Sequence, residues 1–400
     1  MAKTRILQIF SRYEHYGGEE GSVTRIGDTM QEHFDVEYLL GSTADLKLPG
    51  LINKIKLPLR LLHNTDVQKR LLRYQKIGRF DFWQVHNVFP GMSPVVYRTA
   101  ENLGIPVVQY LHNYRFSCTN GFFLNHGQPC QRCIGGHFYP AFETACWHDS
   151  RLYSGAMGLV LKSVRWQDVF SKIARFVAIS HRQKELHIAM GIPGEKIDVI
   201  HHFLEPATPP PPAHDGHALF IGRLSPEKGV INLLEAWRLV GNTSRQLIIM
   251  GEGPEKKRLE QFCEKNNLTN VVFTGFLKSA AQQKIWERAA FTIVPSIWEE
   301  PFGMVILESW AKQRPVIAHR IGALPELIDH EENGLLCEAT SPESLAAGMD
   351  LFFSNPTLAN ACGLAGYRKL LSHFNRTAWL DKIKATYTSL ASSPPNPPHG

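Results

Sequence analysis

Pro206, Pro209, Pro210, Pro211 and Pro212 crowd one short stretch, which no helix or central strand can cross. On both sides of this stiff, extended segment the chain repeats one pattern. Short runs rich in Val, Ile, Leu and Phe alternate with stretches of helical periodicity. Before the prolines the strand-like runs are 4–10, 36–40, 82–86, 106–111, 176–179 and 196–200. After them they are 218–221, 246–250, 271–274, 291–294, 315–318 and 335–337. Strands alternating with helices imply parallel sheets covered on both faces. The expectation is an α/β protein of two Rossmann-like domains facing across a cleft. The first domain is 1–205, the linker 206–213 and the second domain 214–375. A closing helix at 376–391 has the option of packing back on the first domain, and 392–400 is a disordered tail.

Composition narrows the class. The 400 residues are 44% hydrophobic, ample for two cores. No apolar run approaches the ~20 residues a membrane helix needs. The opening MAKTRILQIF reads as a first strand and not as a secretory leader, which predicts a cytoplasmic chain with reduced cysteines. The net charge of +6 belongs to the first half: residues 1–205 hold 24 Lys and Arg against 18 Asp and Glu, and the rest is balanced. The excess gathers in 47–79, where Lys47, Lys54, Lys56, Arg60, Lys69, Arg70, Arg73, Lys76 and Arg79 face Asp66 alone. Leucines and isoleucines interleave with these charges. Such a stretch suits an anionic membrane surface, a nucleic acid, or simply a solvated helix face.

Two motifs carry chemistry. In Gly222-Arg-Leu-Ser-Pro-Glu-Lys-Gly229, Arg223 and Lys228 flank a turn that leads into a helix. A guanidinium grips phosphate oxygens in pairs and an ammonium adds a point charge, so together they neutralise a diphosphate without a divalent metal. In SIWEEPFGMVILE, Glu300 occupies the expected helix cap and Pro301 the first helical position. Phe302, Gly303 and Met304 then present first-turn N–H groups to a phosphate or sugar. Glu308 falls about two turns, or ~12 Å, further along. Surface charge and an ordinary N-cap are the bland alternatives for both motifs.

The ordered set is more specific than its parts. Gly-Arg-x4-Lys-Gly, Gly251-Glu-Gly-Pro, Val272-Phe-Thr-Gly-Phe, Glu300-x7-Glu308 and Pro315-Val-Ile-Ala resemble the family-4 (group 1) retaining glycosyltransferases of the GT-B fold. In the first half Gly17-Gly18-Glu19 resembles their glycine-rich loop, His112 in QYLHN their active-site histidine, and AISHRQKEL their interdomain helix. The resemblance implies a nucleotide-sugar co-substrate, a glycan or lipid-linked acceptor, and no catalytic metal or cofactor. It further implies that Arg223 and Lys228 bind the donor diphosphate and that the Gly17-Gly18 loop closes over the phosphates. Glu300 contacts the transferred sugar, Glu308 the ribose, and His112 the sugar from the other domain. Front-face attack is the implied route, since no carboxylate nucleophile beyond Glu300 is evident. One departure stands out: the family's Asn-Gly-hydrophobic-Asp run is replaced by His201-His202-Phe203-Leu204, to which no role is assigned.

Cys118, Cys130, Cys133 and Cys146 have structural-zinc spacing, with unliganded thiols or a redox pair as alternatives. An oxidoreductase is disfavoured by the missing G-x-G-x-x-G fingerprint. Nucleic-acid binding is disfavoured by the neutral second half and the lack of an aromatic-basic RNA motif. A sugar-nucleotide epimerase of the same fold, or a non-catalytic nucleic-acid- or sugar-binding protein, is the competing reading. A peripheral position at the inner membrane face fits the basic window.

Overall fold

The computed structural model describes residues 3–12, 18–42, 59–206, 209, 216–241, 244–277 and 279–392. Gly17, Lys47, Lys54, Lys56, most of the proline linker and the tail from 393 lie outside the described residues. The chain divides into two compact units. One comprises 1–126, 130–200 and 380–400, the other 127–129 and 201–379.

The first unit is built on a parallel sheet of β1 (Arg5–Arg12), β2 (Asp35–Ser42), β3 (Phe82–Val85), β4 (Val107–Tyr110), β7 (Arg175–Ala178) and β8 (Ile197–Val199). The short pieces β5 (Leu124–Asn125) and β6 (Gln128–Pro129) form a separate two-stranded ribbon. The order of the large sheet is β2-β1-β3-β4-β7-β8, so the winding reverses between β1 and β3. Both faces are covered, which is why Ile6, Leu7, Ile9 and Phe10 run on without alternation and are all buried. Three glutamines interrupt the apolar strands: Gln8, Gln84 and Gln109 are also buried, and each must find partners there. Helix Arg151–Trp166 starts at Ser150, whose side chain accepts the Tyr153 N–H, and it sinks Met157, Val160, Leu161 and Val164 into the core. From Leu380 onward the last helix, Arg376–Ser392, belongs to this unit. There Tyr387 is buried and Thr386 donates to Asp198 at 2.9 Å.

The second unit repeats the plan with β9 (His217–Ile221), β10 (Leu247–Met250), β11 (Val271–Gly275), β12 (Ala289–Val294), β13 (Val316–His319) and β14 (Gly334–Cys337). Its order is β11-β10-β9-β12-β13-β14, all parallel, and the winding reverses between β9 and β12. Loops that leave the carboxyl ends of strands at such a reversal part to opposite faces, and the crevice they leave is where doubly wound sheets bind ligands. The two sequence motifs occupy these two loops. Gly222–Gly229 follows β9 and Ser296–Glu300 follows β12. Among the described residues no helix is long and apolar enough to cross a membrane.

Candidate active site

At the reversal of the second sheet, a tight turn brings the loops together. Gly229 has φ 64°, and a Cβ there would lie 2.0 Å from the Pro295 carbonyl oxygen, so only glycine lets the β9 loop pass this close to the β12 loop. The Ile297 N–H bonds the Glu227 carbonyl at 3.0 Å across the same junction. This packing delivers the Lys228 ammonium to Glu300 Oε2 at 2.8 Å. The same oxygen accepts from Ser296 Oγ at 2.8 Å and from Trp298 Nε1 at 2.9 Å. Glu300 is 7% exposed, and the three donors satisfy its buried carboxylate and fix its orientation. Lys228 also lies over the Trp298 ring, 5.3 Å from its centroid. All three bonds fall on Oε2.

Arg223 is positioned differently. Its Nε donates to Ser225 Oγ and its Nη2 to the buried Glu227 Oε1, while the side chain as a whole is 59% exposed. It is a cation braced at its base and open at its tip, the arrangement an anionic ligand requires. Behind Glu300 the backbone is gripped as well. The Ala323 N–H donates to the Glu300 carbonyl at 2.9 Å, and Gly322 (φ 58°) sits so close that a Cβ would be 2.3 Å from the Glu300 nitrogen.

One sequence expectation is corrected. Glu300 is not a helix cap and Pro301 does not open a helix. The helix is Met304–Trp310, capped by Gly303 at φ 101°. Three consecutive residues with pyrrolidine, buried ring and left-handed backbone delay it: Pro301 is buried, Phe302 is 2% exposed and Gly303 turns the chain. The ~12 Å helical offset inferred between Glu300 and Glu308 therefore does not apply, since only Met304 onward is helical. Glu308 is half-buried on this helix.

Ser296, Trp298 and Glu227 lie in the quoted motifs without an assigned role, and Gly322 lies outside them. Trp298 and Ser296 precede Glu300 by two and four residues, so their proximity was a readable signal; Gly322 is remote and was not. The unassigned His201-His202 segment packs on the same loop. The rings of His201 and His202 lie 6.0 and 5.3 Å from that of Phe302, and His201 reaches Glu326 at 3.6 Å.

In the first unit, His112 follows β4 and His86 follows the adjacent β3. Their rings join directly, His86 Nδ1 to His112 Nε2 at 2.8 Å. Burial lowers the pKa of His112 to about 3, which favours its neutral, hydrogen-bonding form near neutral pH. A small cavity is lined by His86, Asn87, Gln109, Tyr110, His112 and Asn113, among others. Asn113 donates to Glu19 at 3.4 Å, which places the start of helix Gly18–Met30 beside the His112 turn. A Cβ at Gly18 would meet nothing within 4 Å.

The four cysteines come together. Cys118, Cys130, Cys133 and Cys146 border one cavity walled by Phe123, Leu124 and Ala141. Burial, reinforced by the three neighbouring thiols, pushes Cys133 up to about 12. Among the described residues no three His, Cys, Asp or Glu side chains stand in a metal-holding arrangement.

Two doubly wound sheets, one with braced cations and a held carboxylate at its reversal point, define the two-Rossmann, GT-B class. Comparison with known proteins then places the chain within it. Residues 206–369 match the family described as glycosyl transferases group 1 and residues 16–208 match glycosyltransferase family 4, so the chain belongs to the family-4, group 1 glycosyltransferases. It is 30% identical over 194 residues to a lipopolysaccharide core biosynthesis glycosyltransferase of Rhizobium meliloti, covering 46% of this chain and 55% of the relative. It is 25% identical over 354 residues to a D-inositol 3-phosphate glycosyltransferase of Pseudarthrobacter chlorophenolicus, covering 83% and 74%. An uncharacterized glycosyltransferase of Methanocaldococcus jannaschii is 35% identical over 139 residues, covering 34% of this chain and 35% of its own length. The match thus spans about a third to just over half of those first curated relatives. Among solved structures, sucrose-phosphate synthase of Thermosynechococcus elongatus superposes with a TM-score of 0.71 at 18% identity, covering 98% and 100%. Anabaena HepE in complex with UDP and glucose superposes at 0.66 and 17%, covering 96% and 100%. These likenesses carry the fold.

Proposed function

We propose that this chain is a retaining glycosyltransferase, moving a hexose-type sugar from a nucleoside diphosphate donor to a hydroxyl. The observation that carries the reading is the Lys228–Glu300 pair at the reversal of the second sheet, with Arg223 braced beside it. Lys228 retains hydrogens beyond the one given to Glu300, and with Arg223 it neutralises the departing diphosphate. The second oxygen of Glu300 orients a sugar hydroxyl, and the N–H groups of Phe302, Gly303 and Met304 add to the donor-binding wall. Glu308 serves the ribose. In the step itself the bond from the anomeric carbon to the diphosphate oxygen breaks and a bond to the acceptor oxygen forms on the same face. The acceptor proton passes to the departing phosphate. In this front-face route Glu300 holds a hydroxyl and is not the nucleophile.

In the first unit His112 supplies a neutral imidazole to a substrate hydroxyl. HepE's complexes with UDP and with UDP-glucose recommend uridine donors for the first trials. The Rhizobium relative recommends a lipid-linked or polysaccharide intermediate of cell-surface glycan synthesis as acceptor. On helix Thr65–Gly78, Lys69, Leu72, Arg73 and Lys76 share one exposed face, which suits peripheral attachment to anionic lipid from the cytoplasmic side. The four-thiol cavity is a candidate for a structural zinc that closes the thiols onto itself. Metal analysis tests it, and substoichiometric zinc with four titratable thiols would remove the idea.

The deciding experiment is a thermal-shift screen of uridine, guanosine and adenosine diphosphate sugars, followed by turnover with Arg223→Ala and Lys228→Ala. A stabilising donor whose transfer collapses in both variants is expected. Near-normal transfer in both would sink the diphosphate assignment. Conversion of donor without any acceptor would instead favour an epimerase.

A further inference from the structure

The histidine pair beside the first sheet is the end of a longer chain of hydrogen bonds whose direction can be worked out. It begins at the Val23 carbonyl, which only accepts. Gln8 bonds it at 2.8 Å and must do so through its amide nitrogen, leaving Gln8 Oε1 as an acceptor. Gln84 faces Gln8 across the β1–β3 register, with its own amide nitrogen 3.1 Å from that oxygen. The same Gln84 nitrogen lies 3.2 Å from His86 Nε2. Its carbonyl end is occupied by the Tyr387 hydroxyl, which donates to Gln84 Oε1 at 2.7 Å. Both ends of Gln84 are therefore oriented, and its nitrogen gives one hydrogen to each neighbour. His86 Nε2 must then be the bare nitrogen. A neutral His86 carries its hydrogen on Nδ1, the atom 2.8 Å from His112 Nε2.

We infer that Gln8, Gln84 and His86 form a one-way relay that fixes His112 as the Nδ1–H tautomer, making it a donor of set direction for an oxygen of the sugar substrate. In this relay Gln8, Gln84 and His86 are positioning residues, and Tyr387 of the last helix locks Gln84 from the side. All six groups, Val23 included, lie in the first unit and are described there. Gln8, Gln84 and His86 are fully buried, so water does not compete for their bonds. Free imidazole gives no such assurance, because its two nitrogens exchange the hydrogen and nothing holds it on Nδ1. The catalytic side of the inference rests on the function proposed above; the tautomer does not.

The full chain labelled with 15N-histidine answers the question directly, because protonated and bare ring nitrogens resonate apart. The His112 signals are assigned by their loss in His112→Gln. The expected result is hydrogen on His112 Nδ1 in the wild-type protein; hydrogen on Nε2 would overturn the relay and needs no variant to show it. In His86→Leu, His112 is expected to shift to the Nε2–H form. The kcat for sugar transfer should then fall about tenfold, the worth of roughly one hydrogen bond, with the donor KM little changed. An unaltered His112 tautomer in that variant would overturn the inference. Tyr387→Phe should leave the tautomer as it is, since Gln8 still orients Gln84, and a flipped tautomer there would refute the assigned direction. Should the tautomer follow His86 while turnover does not, the relay stands and the substrate role of His112 falls.

Discussion

The two sheets reverse their winding in the same manner but equip the reversal differently. In the second unit the order is β11-β10-β9-β12-β13-β14, and the crevice between β9 and β12 is furnished with ions: Arg223, Glu227, Lys228 and Glu300. In the first unit the order is β2-β1-β3-β4-β7-β8, and its strands and the turns that leave them carry uncharged groups: the buried Gln8, Gln84 and His86, and the half-buried His112. The contrast teaches a division of labour. A charged ligand is met by charges that remain partly wet, because a fully buried cation would cost more than the ligand returns. Geometry without charge is set by neutral donors and acceptors, which tolerate full burial once every bond has a direction.

The strongest way to break this comparison is to remove an ion from the second unit. Lys228→Ala leaves Glu300 buried beside only Ser296 and Trp298, and donor turnover should fall by about 10²–10³-fold, as for loss of one preorganised charge-stabilising donor. Lys228→Met combined with Glu300→Gln should cost less than the sum of the two single changes, read in a double-mutant cycle of kcat/KM. Additive effects would show that the pair is not a unit.

Next in size is the junction that brings the ions together. Gly229→Ala puts a Cβ against the Pro295 carbonyl at a φ of 64°, and should lower stability by about 1–3 kcal/mol in denaturant unfolding. Donor affinity should weaken in parallel, since Lys228 is the next residue. An unchanged unfolding midpoint would mean that the two loops do not need this close approach.

A pH series sharpens the neutral side. Burial lowers His112 to about 3, His187 to about 4 and His217 to about 4, against an ordinary 6.5. Above pH 6.5 neither folded nor unfolded chain binds protons at these rings, so they leave stability flat. Below it the unfolded chain takes up protons that the folded one refuses, and stability falls as the pH drops toward 4. The melting temperature should decline across pH 6.5 to 4.5, and His187→Gln should shallow that decline. His217 belongs to the second unit, so the effect cuts across the contrast drawn above.

The smallest expected effect is at Tyr387→Phe. It removes one buried hydroxyl from Gln84 Oε1 and should cost about 1 kcal/mol in unfolding free energy, with sugar transfer nearly unchanged.

Much of this was legible in the chain itself. The strand runs were placed within a residue or two of β1 through β14, apart from the short ribbon, because a sheet covered on both faces demands unbroken apolar runs. Arg223, Lys228 and Glu300 were readable from spacing, since they sit in loops that leave strand ends. The helix start after Glu300 was misread: Pro301 favours a first turn locally, but the buried Phe302 and the left-handed Gly303 override it. His86 was passed over because a histidine after a strand is unremarkable without its neighbour. Its partner stands 26 residues away.

The sequence alone determined two halves of alternating strands and helices and the ions of the second crevice, because periodicity and charge spacing act locally. Tertiary structure alone decided that Lys228 grips Glu300 across 72 residues and that Tyr387 meets Gln84 across 303. It also decided which way the glutamines point. Hydrogen-bond direction depends on what lies opposite in space, and no local rule of sequence carries that information.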